Sequence, residues 1–260
     1  MNFIRTILTI WQRELIRYRR DRVRIIATII QPLLFLLIFG VGLKQTLSTS
    51  NLGIDFIQFM YPGIIAMNVM GIAFFSAILT VWDREFGFLK EILVAPISRT
   101  AIALAKTLSS ATVASFQVLI LLLLAPFLGI EITTGIVLPL LLFILLIAFT
   151  ISGLGLLIAS RIQTTETFPV IMQVLIFPMF FLSGAFFPLT AVPNWMEALS
   201  KINPLTYGVD ALRQILLQDQ VPQKVIDNIS LYTTSTDALF LLGFSVLMVG
   251  AAVLAFNRRS

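Results

Sequence analysis

The residues best suited to chemistry lie in one charged segment, 82–99, which reads WDREFGFLKEILVAPISR. Wound as an α-helix, this segment places most charged side chains on one face and apolar side chains on the other. Glu85 is the exception, because it falls on the apolar side, where a carboxylate must find a partner or reach the headgroups. Pro96 ends the pattern. The spacing predicts a helix over 83–97 that presents charge to a partner, with an ordinary solvated loop helix as the alternative.

Most catalytic chemistry is excluded by the residue types that the chain lacks. It contains no cysteine and no histidine, which removes thiolate metal sites and the commonest general base. No glycine is followed by lysine, so the phosphate-binding loop of P-loop ATPases is absent as well. We expect no catalytic, cofactor-binding or metal-binding residue in this chain, and energy from ATP would have to arrive through a protein surface.

Long apolar stretches must position the charged segment. The chain of 260 residues is 58% hydrophobic and 12% charged, whereas soluble domains carry about 25% charged residues. A bilayer core of about 30 Å needs about 20 apolar helical residues, and six charge-free stretches meet that length. These stretches are 25–43, 56–82, 107–130, 132–160, 167–196 and 238–257. The pattern predicts an all-α membrane protein with six transmembrane helices in a single domain.

The basic residues set the expected orientation, because cytoplasmic loops carry an excess of Lys and Arg. With the N-terminus in the cytoplasm, all but four of the 18 basic residues lie inside. The four exceptions are Lys44, Lys201, Arg213 and Lys224. We therefore expect both termini in the cytoplasm, with the charged segment on the same side.

Residues 1–22 are predicted to form an amphipathic helix in the plane of the membrane. Apolar residues recur every three to four positions, and basic residues occupy another face, which is typical of helices on an anionic leaflet. The apolar residues are Ile4, Leu8, Trp11, Leu15 and Tyr18. The basic residues are Arg13, Arg17, Arg20 and Arg24. A plain positive-inside anchor is the alternative.

The fifth apolar stretch is too long for one simple span. Its pattern predicts a helix to about Phe187, followed by a turn and two short helices at the outer membrane face. Asn203 followed by Pro204 is a strong helix start, with Asn as N-cap and Pro at the first helical position. Asp210 and Arg213 fall three residues apart on one face, which predicts an exposed pair or a tether to a span.

Phenylalanines are frequent in the same region. Five of them are candidates for an outer gate or for the lining of a path, with ordinary lipid contact or packing as the alternative. They are Phe177, Phe180, Phe181, Phe186 and Phe187.

Two motifs together resemble those of the type-2 ABC exporter permeases, and the resemblance covers essentially the whole chain. The first is the charged segment, with DRE at 83–85, Gly87, KE at 90–91 and PISR at 96–99. The second reads LSGxFFP at 182–188, NPxTY at 203–207 and DxxR at 210–213. In pattern, the chain is most similar to the bacterial drug-exporter and nodulation-signal-exporter permeases.

The resemblance implies one transmembrane domain over 1–260 and assigns roles to particular residues. Its parts are an in-plane helix at 1–22, spans at 23–43, 57–81, 103–128, 133–160, 167–187 and 237–257, a cytoplasmic coupling helix at 83–97 and outer re-entrant helices at 190–217. ATPase docking and coupling fall to Asp83, Arg84, Glu85, Gly87, Lys90, Glu91 and Pro96. The in-plane helix contributes Trp11, Arg13, Arg17 and Arg20, and the re-entrant signature is Asn203, Pro204, Tyr207, Asp210 and Arg213.

The resemblance also implies a function. The chain is expected to be the permease subunit of an efflux transporter in the bacterial inner (plasma) membrane, working as a homodimer, with a heterodimer as the alternative. Each copy is expected to dock on a cytoplasmic ATPase subunit that binds ATP and Mg, while this chain binds membrane lipid but no cofactor and no nucleic acid. The implied cargo is a drug, lipid or glycolipid, and a lipid-linked polysaccharide or O-antigen is the alternative.

Two other functional classes fit the residues less well. An ion- or proton-coupled carrier needs ionisable residues at mid-membrane, and the six stretches carry none. A membrane-embedded lipid-modifying enzyme would have to build its site from Glu197, Asp210 or Arg213 near the outer face.

Overall fold

The computed structural model describes residues 3–42, 54–86, 98–162 and 164–257, and the regular structure within those ranges is helical. In chain order the α-helices are α1 Phe3–Arg20, α2 Arg22–Phe35, α3 Phe56–Glu85, α4 Arg99–Leu124, α5 Thr134–Arg161, α6 Thr167–Phe181, α7 Asn194–Ser200, α8 Pro204–Leu217, α9 Gln223–Ile229 and α10 Thr234–Asn257. A π-helical segment, Leu36–Val41, continues α2, and a 3₁₀ segment, Ala125–Leu128, continues α4. Another 3₁₀ turn, Leu189–Ala191, precedes α7.

Within the described ranges, five stretches are long and apolar enough to cross a bilayer. They are Arg22–Gly40, Phe56–Glu85, Arg99–Leu128, Thr134–Arg161 and Gln223–Ala255. The apolar helix α6 has 15 residues and is about 22 Å long at 1.5 Å per residue, which is shorter than a bilayer core. The prediction of an all-helical, multi-pass protein is confirmed, while the count of six spans stays a prediction.

Helix α5 lies among three other long helices and contacts each of them through neighbouring small residues. The Ser152 hydroxyl donates a hydrogen bond to Ser110 Oγ in α4 at 2.8 Å. An added Cβ at Gly153 would lie 2.9 Å from the backbone of α10, and one at Gly155 would lie 2.9 Å from a side chain of α3. Such close approach between apolar helices requires small residues at the contact.

Helix α1 packs against α4 with a face that differs from the predicted one. Its buried residues are Thr6, Ile10, Glu14 and Tyr18. The side chains of Ile4 and Leu8 are 70% and 52% exposed, although the sequence grouped them with Tyr18 in one apolar stripe. The stripe is therefore divided, with Tyr18 turned towards the bundle and the other two turned away from it.

The last turn of α3 contains Asp83, Arg84 and Glu85. The sequence predicted these residues as the start of a separate in-plane helix over 83–97, and that boundary is wrong because helix α3 continues to Glu85. The rest of the predicted coupling helix, with Gly87, Lys90, Glu91 and Pro96, lies outside the described residues.

The bundle has two ends that differ in content. The basic end comprises α1, the last turn of α3, the start of α4 and the described part of the α5–α6 turn, residues 162 and 164–166. The far end comprises the start of α3, the end of α6 and the short helices α7, α8 and α9. Charged side chains are buried at both ends.

Helix α6 ends at Phe181, before the predicted end at Phe187. Gly184 has a φ of 77°, a left-handed conformation that glycine adopts without strain, and it turns the chain out of the helical direction. The predicted start of α8 is confirmed, because the Asn203 side chain accepts a hydrogen bond from the Leu205 N–H at 3.1 Å, and Pro204 is the first helical residue.

Helix α8 is buried inside the bundle, although the sequence predicted it at the membrane surface. It packs against α3, α5 and α10, and of its residues only Gln214 is not buried. An added Cβ at Gly208 would lie 2.7 Å from Ile147 in α5. The polar residues in the amphipathic pattern of α8 therefore bind partners inside the bundle and do not face water.

Candidate functional site

Five charged side chains from three helices meet at the basic end, and we call them the ion cluster: Arg13, Glu14, Arg17, Asp83 and Lys106. Asp83 lies at its centre and pairs with Arg13 at 3.0 Å, with Arg17 at 3.4 Å and with Lys106 at 2.8 Å. Glu14 pairs with Arg13 at 3.1 Å and with Lys106 at 3.5 Å. The cluster joins α1, α3 and α4 to one another.

The members of the ion cluster differ in how far they are buried, and the most buried ones contribute most to stability. The side chains of Lys106 and Asp83 are 2% and 7% exposed, while those of Arg13 and Arg17 are 31% and 38% exposed. A buried ion is tolerated only when it is paired. The sequence placed Asp83 on an outward docking face, which is wrong because the carboxylate points into the bundle. Glu14 and Lys106 were not predicted as site residues, since helical spacing alone does not indicate which helices meet.

The next two residues of α3 contact the α5–α6 turn. One guanidinium nitrogen of Arg84 donates hydrogen bonds to the carbonyls of Ala159, Ser160 and Ile162 at 3.0, 3.2 and 2.8 Å. Glu85, which is exposed, accepts a hydrogen bond from the Thr165 N–H at 2.8 Å. The partner that the sequence required for Glu85 is therefore a backbone group of the α5–α6 turn, two residues before α6 begins.

A row of uncharged polar contacts lies beside the ion cluster. Trp11 Nε1 donates to Thr112 Oγ1 at 3.0 Å, so the indole is bonded to α4. The Gln117 amide donates to the hydroxyls of Tyr18 and Thr28, which joins α4 to α1 and α2. Burial raises the pKa of Tyr18, while the hydrogen bond from Gln117 acts in the opposite direction. These contacts attach α1 to the bundle along much of its length.

Two further contacts hold α2 against α3. Asn68 Nδ2 donates to the Thr28 carbonyl at 2.8 Å. The Arg24 guanidinium lies 3.6 Å from the centroid of the Phe75 ring, a cation–π arrangement. Arg24 therefore turns towards the bundle, whereas the predicted in-plane residue Arg20 is exposed.

An apolar groove of about 370 Å³ separates α3 from α6. From α3 it is lined by Gly71, Phe74, Phe75 and Ile78, and from α6 by Phe168, Pro169, Met172, Gln173, Ile176 and Phe177. Of the predicted path residues, Phe177 lies in this groove. Gln173 contributes the one side chain with a polar head among these ten residues. The groove suits a ligand with mostly apolar surface and one hydrogen-bonding group.

The other predicted path residues form an aromatic cluster at the far end of α6. Phe180 lies 4.7 Å from Phe186 in an edge-to-face arrangement, and Phe181 stacks on Phe186 at 5.2 Å. Phe35 of α2 lies 5.5 Å from Phe186, which brings α2 to the cluster. Phe180 is buried, whereas Phe177 and Phe181 are 53% and 46% exposed, so the three neighbouring rings differ in how far they are covered. Phe187 is half-buried.

The signature residues of α8 bind backbone atoms of the neighbouring loops. Arg213 donates to the carbonyls of Gly184 at 2.6 Å and Phe59 at 3.4 Å, and it lies over the Phe59 ring. Asp210 accepts hydrogen bonds from the N–H groups of Leu231 and Tyr232, both at 3.0 Å. Asp210 and Arg213 are each 3% exposed, so the predicted exposed pair is wrong, and both charges are bonded to backbone groups.

Two other members of the same signature have similar roles. Asn203 Nδ2 donates to the Met179 carbonyl at 2.7 Å. The Tyr207 hydroxyl donates to the Lys201 carbonyl at 2.8 Å, and its ring stacks on Phe240 at 3.7 Å. The signature therefore fixes the chain before and after α8.

The fold and these contacts define a multi-pass helical membrane protein. Its buried charges lie at the two ends of the bundle, and an apolar groove lies between two of its helices. Within the described ranges, no group of three or more His, Cys, Asp or Glu residues could hold a metal ion. The chain belongs to the ABC-2 type transporter family, whose model matches residues 5–217.

Several relatives are similar over most of the chain. It is 34% identical over 216 residues to the putative transport permease ycf38 of Cyanophora paradoxa, covering 81% of this chain and 74% of the relative. It is 30% identical over 177 residues to the probable multidrug ABC transporter permease YbhR of Escherichia coli (strain K12), covering 65% and 46%. The inner membrane transport permease YadH of the same strain is 26% identical over 212 residues, covering 79% and 80%.

These names agree with the predicted class. The relatives are called transport permeases, which supports a permease subunit and not an enzyme. The alternative of a lipid-modifying enzyme gains no support from the far end, because Asp210 and Arg213 are bonded to backbone atoms there.

Proposed function

We propose that this chain is the transmembrane subunit of an ATP-driven exporter for hydrophobic or amphipathic compounds such as drugs, lipids or glycolipids. The observation that carries the proposal is the ion cluster, which joins α1 to the last turn of α3. In sequence, the segment 87–97 follows the last turn of α3 directly, and the docking surface that we propose consists of α1, that last turn and this segment. A cytoplasmic ATPase subunit docks on this surface and supplies the ATP and Mg.

The orientation follows from the same surface. Arg13 and Arg17 in α1 and Lys106 in α4 lie at the basic end, and excess positive charge is retained on the cytoplasmic side. Both termini then lie in the cytoplasm of a bacterial cell, and the far end faces outward. A reporter fused after Ser260 is expected to be active only on the cytoplasmic side, and activity on the outer side would reverse the assignment.

The path for the substrate includes the groove between α3 and α6. Its lining is almost entirely apolar, which suits a drug or lipid better than a polysaccharide chain, whose hydroxyl groups need many hydrogen-bonding partners. Phe177 lines the groove, and the aromatic cluster lies at its far end. The path is completed by a second copy of this chain, which pairs with the first as a homodimer.

Transport by the reconstituted complex tests the function. The chain is co-purified with a cytoplasmic ABC ATPase subunit that binds it and is placed in proteoliposomes, and uptake of a fluorescent amphipathic dye is measured with and without ATP. Uptake is expected only with ATP and only with a hydrolysis-competent ATPase. Dye uptake that does not depend on ATP, or lipid conversion by the chain alone, would overturn the proposal.

Charge reversal tests the docking surface. Because Arg84 is bonded within the chain, reversing its charge would disturb the bundle as well as the docking. The better variant is K90E/E91K, in the segment 87–97. It is expected to lower both ATPase binding and transport while the unfolding midpoint of the membrane subunit stays unchanged. Undiminished ATPase binding would exclude these two residues from the docking surface.

A further inference from the structure

Asp237 is a buried carboxyl group that none of the contacts above involves. It lies in the first turn of α10, one residue before the last charge-free stretch, and is 0% exposed. The Gln214 amide of α8 donates to its Oδ2 at 3.4 Å, and its Oδ1 has no hydrogen-bond partner. The other buried carboxyl groups of the described ranges bind cations or two backbone N–H groups, and they are Glu14, Asp83 and Asp210.

No cation is paired with Asp237 in the part of the chain that the structure describes. None of the ion pairs there includes it, and Arg213 in α8 is bonded to two backbone carbonyls instead. Helices α4 and α5 also pack against α10, but residues 107–124 and 134–160 of these helices carry no charge. The titratable or charged groups on the elements around this end of α10 are Tyr207, Asp210, Arg213 and Tyr232.

A carboxylate that is buried without a cation is costly, and such a group takes up a proton instead. The N-terminal end of α10 favours negative charge, but this effect is smaller than the cost of burying an unpaired ion. Asp210 lies close enough to interact electrostatically with Asp237, and Asp210 accepts two backbone N–H groups, which favour its charged form. The negative charge therefore belongs to Asp210, and the proton belongs to Asp237.

We propose that Asp237 is a proton-binding site at the far end of the bundle, and that the bound proton is required for α10 to pack on α8. The neutral acid accepts from Gln214 through Oδ2, and a hydroxyl without an acceptor on Oδ1 costs far less than an unpaired charge. Loss of the proton would leave two carboxylates, Asp210 and Asp237, in one buried region. A single carboxyl group at one end of a span is not a proton relay, so the inference does not depend on the mode of transport.

Infrared spectroscopy of the full chain at neutral pH tests for the proton directly. The carbonyl stretch of a protonated carboxyl group is well separated from that of a carboxylate, and a detergent without ester groups keeps this region clear. The band is expected in the wild type and in the matched control D210N, and it is expected to be absent from D237N and D237L. Absence of the band from the wild type, or its loss in D210N with retention in D237N, would overturn the inference.

The pH dependence of unfolding tests whether the proton stabilises the packing. An aspartate in the unfolded chain ionises near pH 4 (ordinary value about 3.9), so above that pH folding takes up one proton at Asp237. Stability from this site is complete below about pH 4 and falls as the pH rises. Relative to D237N, the folding equilibrium constant of the wild type is expected to fall about tenfold per pH unit while Asp237 keeps its proton. Parallel pH profiles of the two proteins in denaturant titrations would overturn the inference.

A monovalent metal cation is the other ligand that could neutralise Asp237, and a salt exchange distinguishes it from a proton. Sodium and potassium are replaced by a large organic cation at constant ionic strength, and the unfolding midpoints of the wild type and D237N are compared. The two midpoints are expected to stay unchanged. A loss of stability in the wild type alone would overturn the inference in favour of a bound metal cation. These measurements do not involve the ATPase, so failure of ATP-dependent transport would affect only the proposed function.

Discussion

Buried charges at the basic end are paired with other side chains, whereas Asp210 and Arg213 at the far end are bonded to the backbone. Asp83 meets three cations that belong to α1 and α4. Arg213 and Asp210, both in α8, meet the carbonyls and N–H groups of the chain segments around them. The first arrangement joins separate helices, and the second fixes the path of the loops.

The difference matters because Arg13 and Arg17 at the basic end are partly exposed, whereas Arg213 is buried. If α1 moves against α3, Arg13 and Arg17 can stay solvated, since about a third of each side chain is exposed. The backbone contacts of Arg213 have no such alternative in a buried site. The basic end is thus suited to relative movement of helices, and the far end is suited to constant geometry.

The largest effect is expected for D83N. The substitution leaves Lys106 buried with only Glu14 at 3.5 Å as a carboxylate partner, and breaking a buried ion pair from one side costs about 3–5 kcal/mol. The free energy of unfolding, measured by denaturant titration in detergent, is expected to fall by about that amount. A loss similar to that of an exposed substitution would mean that Asp83 is not the centre of the cluster.

The double variant D83N/K106M sharpens this prediction. It removes both buried charges, and replacing a buried pair together is often nearly neutral. We expect it to recover about half or more of the loss caused by D83N. A double variant that is less stable than D83N would show that Lys106 is stabilised chiefly by Glu14.

The next largest effect is expected for R213M. Methionine keeps an apolar stem of similar length over Phe59 but removes the donors to the Gly184 and Phe59 carbonyls. A buried carbonyl without a partner costs about 1–3 kcal/mol, so the free energy of unfolding is expected to fall by about 2 kcal/mol. In contrast to the basic end, no second side-chain substitution is expected to recover the loss. Recovery by D210N/R213M would contradict this, since it would show that the two charges act as a pair.

The smallest effect concerns Tyr18 and appears only at high pH. Burial raises the pKa of Tyr18 in the folded state above its ordinary value of about 10. Its contribution to stability is therefore complete below about pH 10 and is lost as the pH rises through the raised pKa. The wild type is therefore expected to lose more stability than Y18F between pH 9 and pH 11, a range centred on the ordinary pKa of about 10. Equal losses in the two proteins would show that Tyr18 titrates as it does in the unfolded chain.

Much of the fold was predictable, because hydrophobic length is a local property of the sequence. Five of the six charge-free stretches correspond to long helices, and the cap at Asn203 and Pro204 occurs as predicted. The end of α6 at Phe181 was not predictable from apolar length, since residues 182–187 are also apolar or small. The chain turns away from the axis of α6 at Gly184, whose backbone is in the left-handed conformation.

The candidate site was predictable only in part, because its partners are distant in sequence. The pattern showed that Glu85 needs a partner, but Thr165 lies 80 residues away. The pattern also placed Asp83 on a charged face. A charged helix face can be exposed or can belong to a buried ion cluster, and helical spacing does not distinguish the two. The burial of Asp210 and Arg213 depended on the packing of α8 against three helices, which amphipathicity does not reveal.

The bonds from Arg84 have a consequence for helix α5 as a whole. The aligned peptide dipoles of a helix give its C-terminal end about half a negative charge. Arg84 places a full positive charge on the last carbonyls of α5, so that partial charge is neutralised where the helix ends. An apolar helix of 28 residues therefore ends with the carbonyls of Ala159 and Ser160 bonded inside the protein, and its last turn resists fraying.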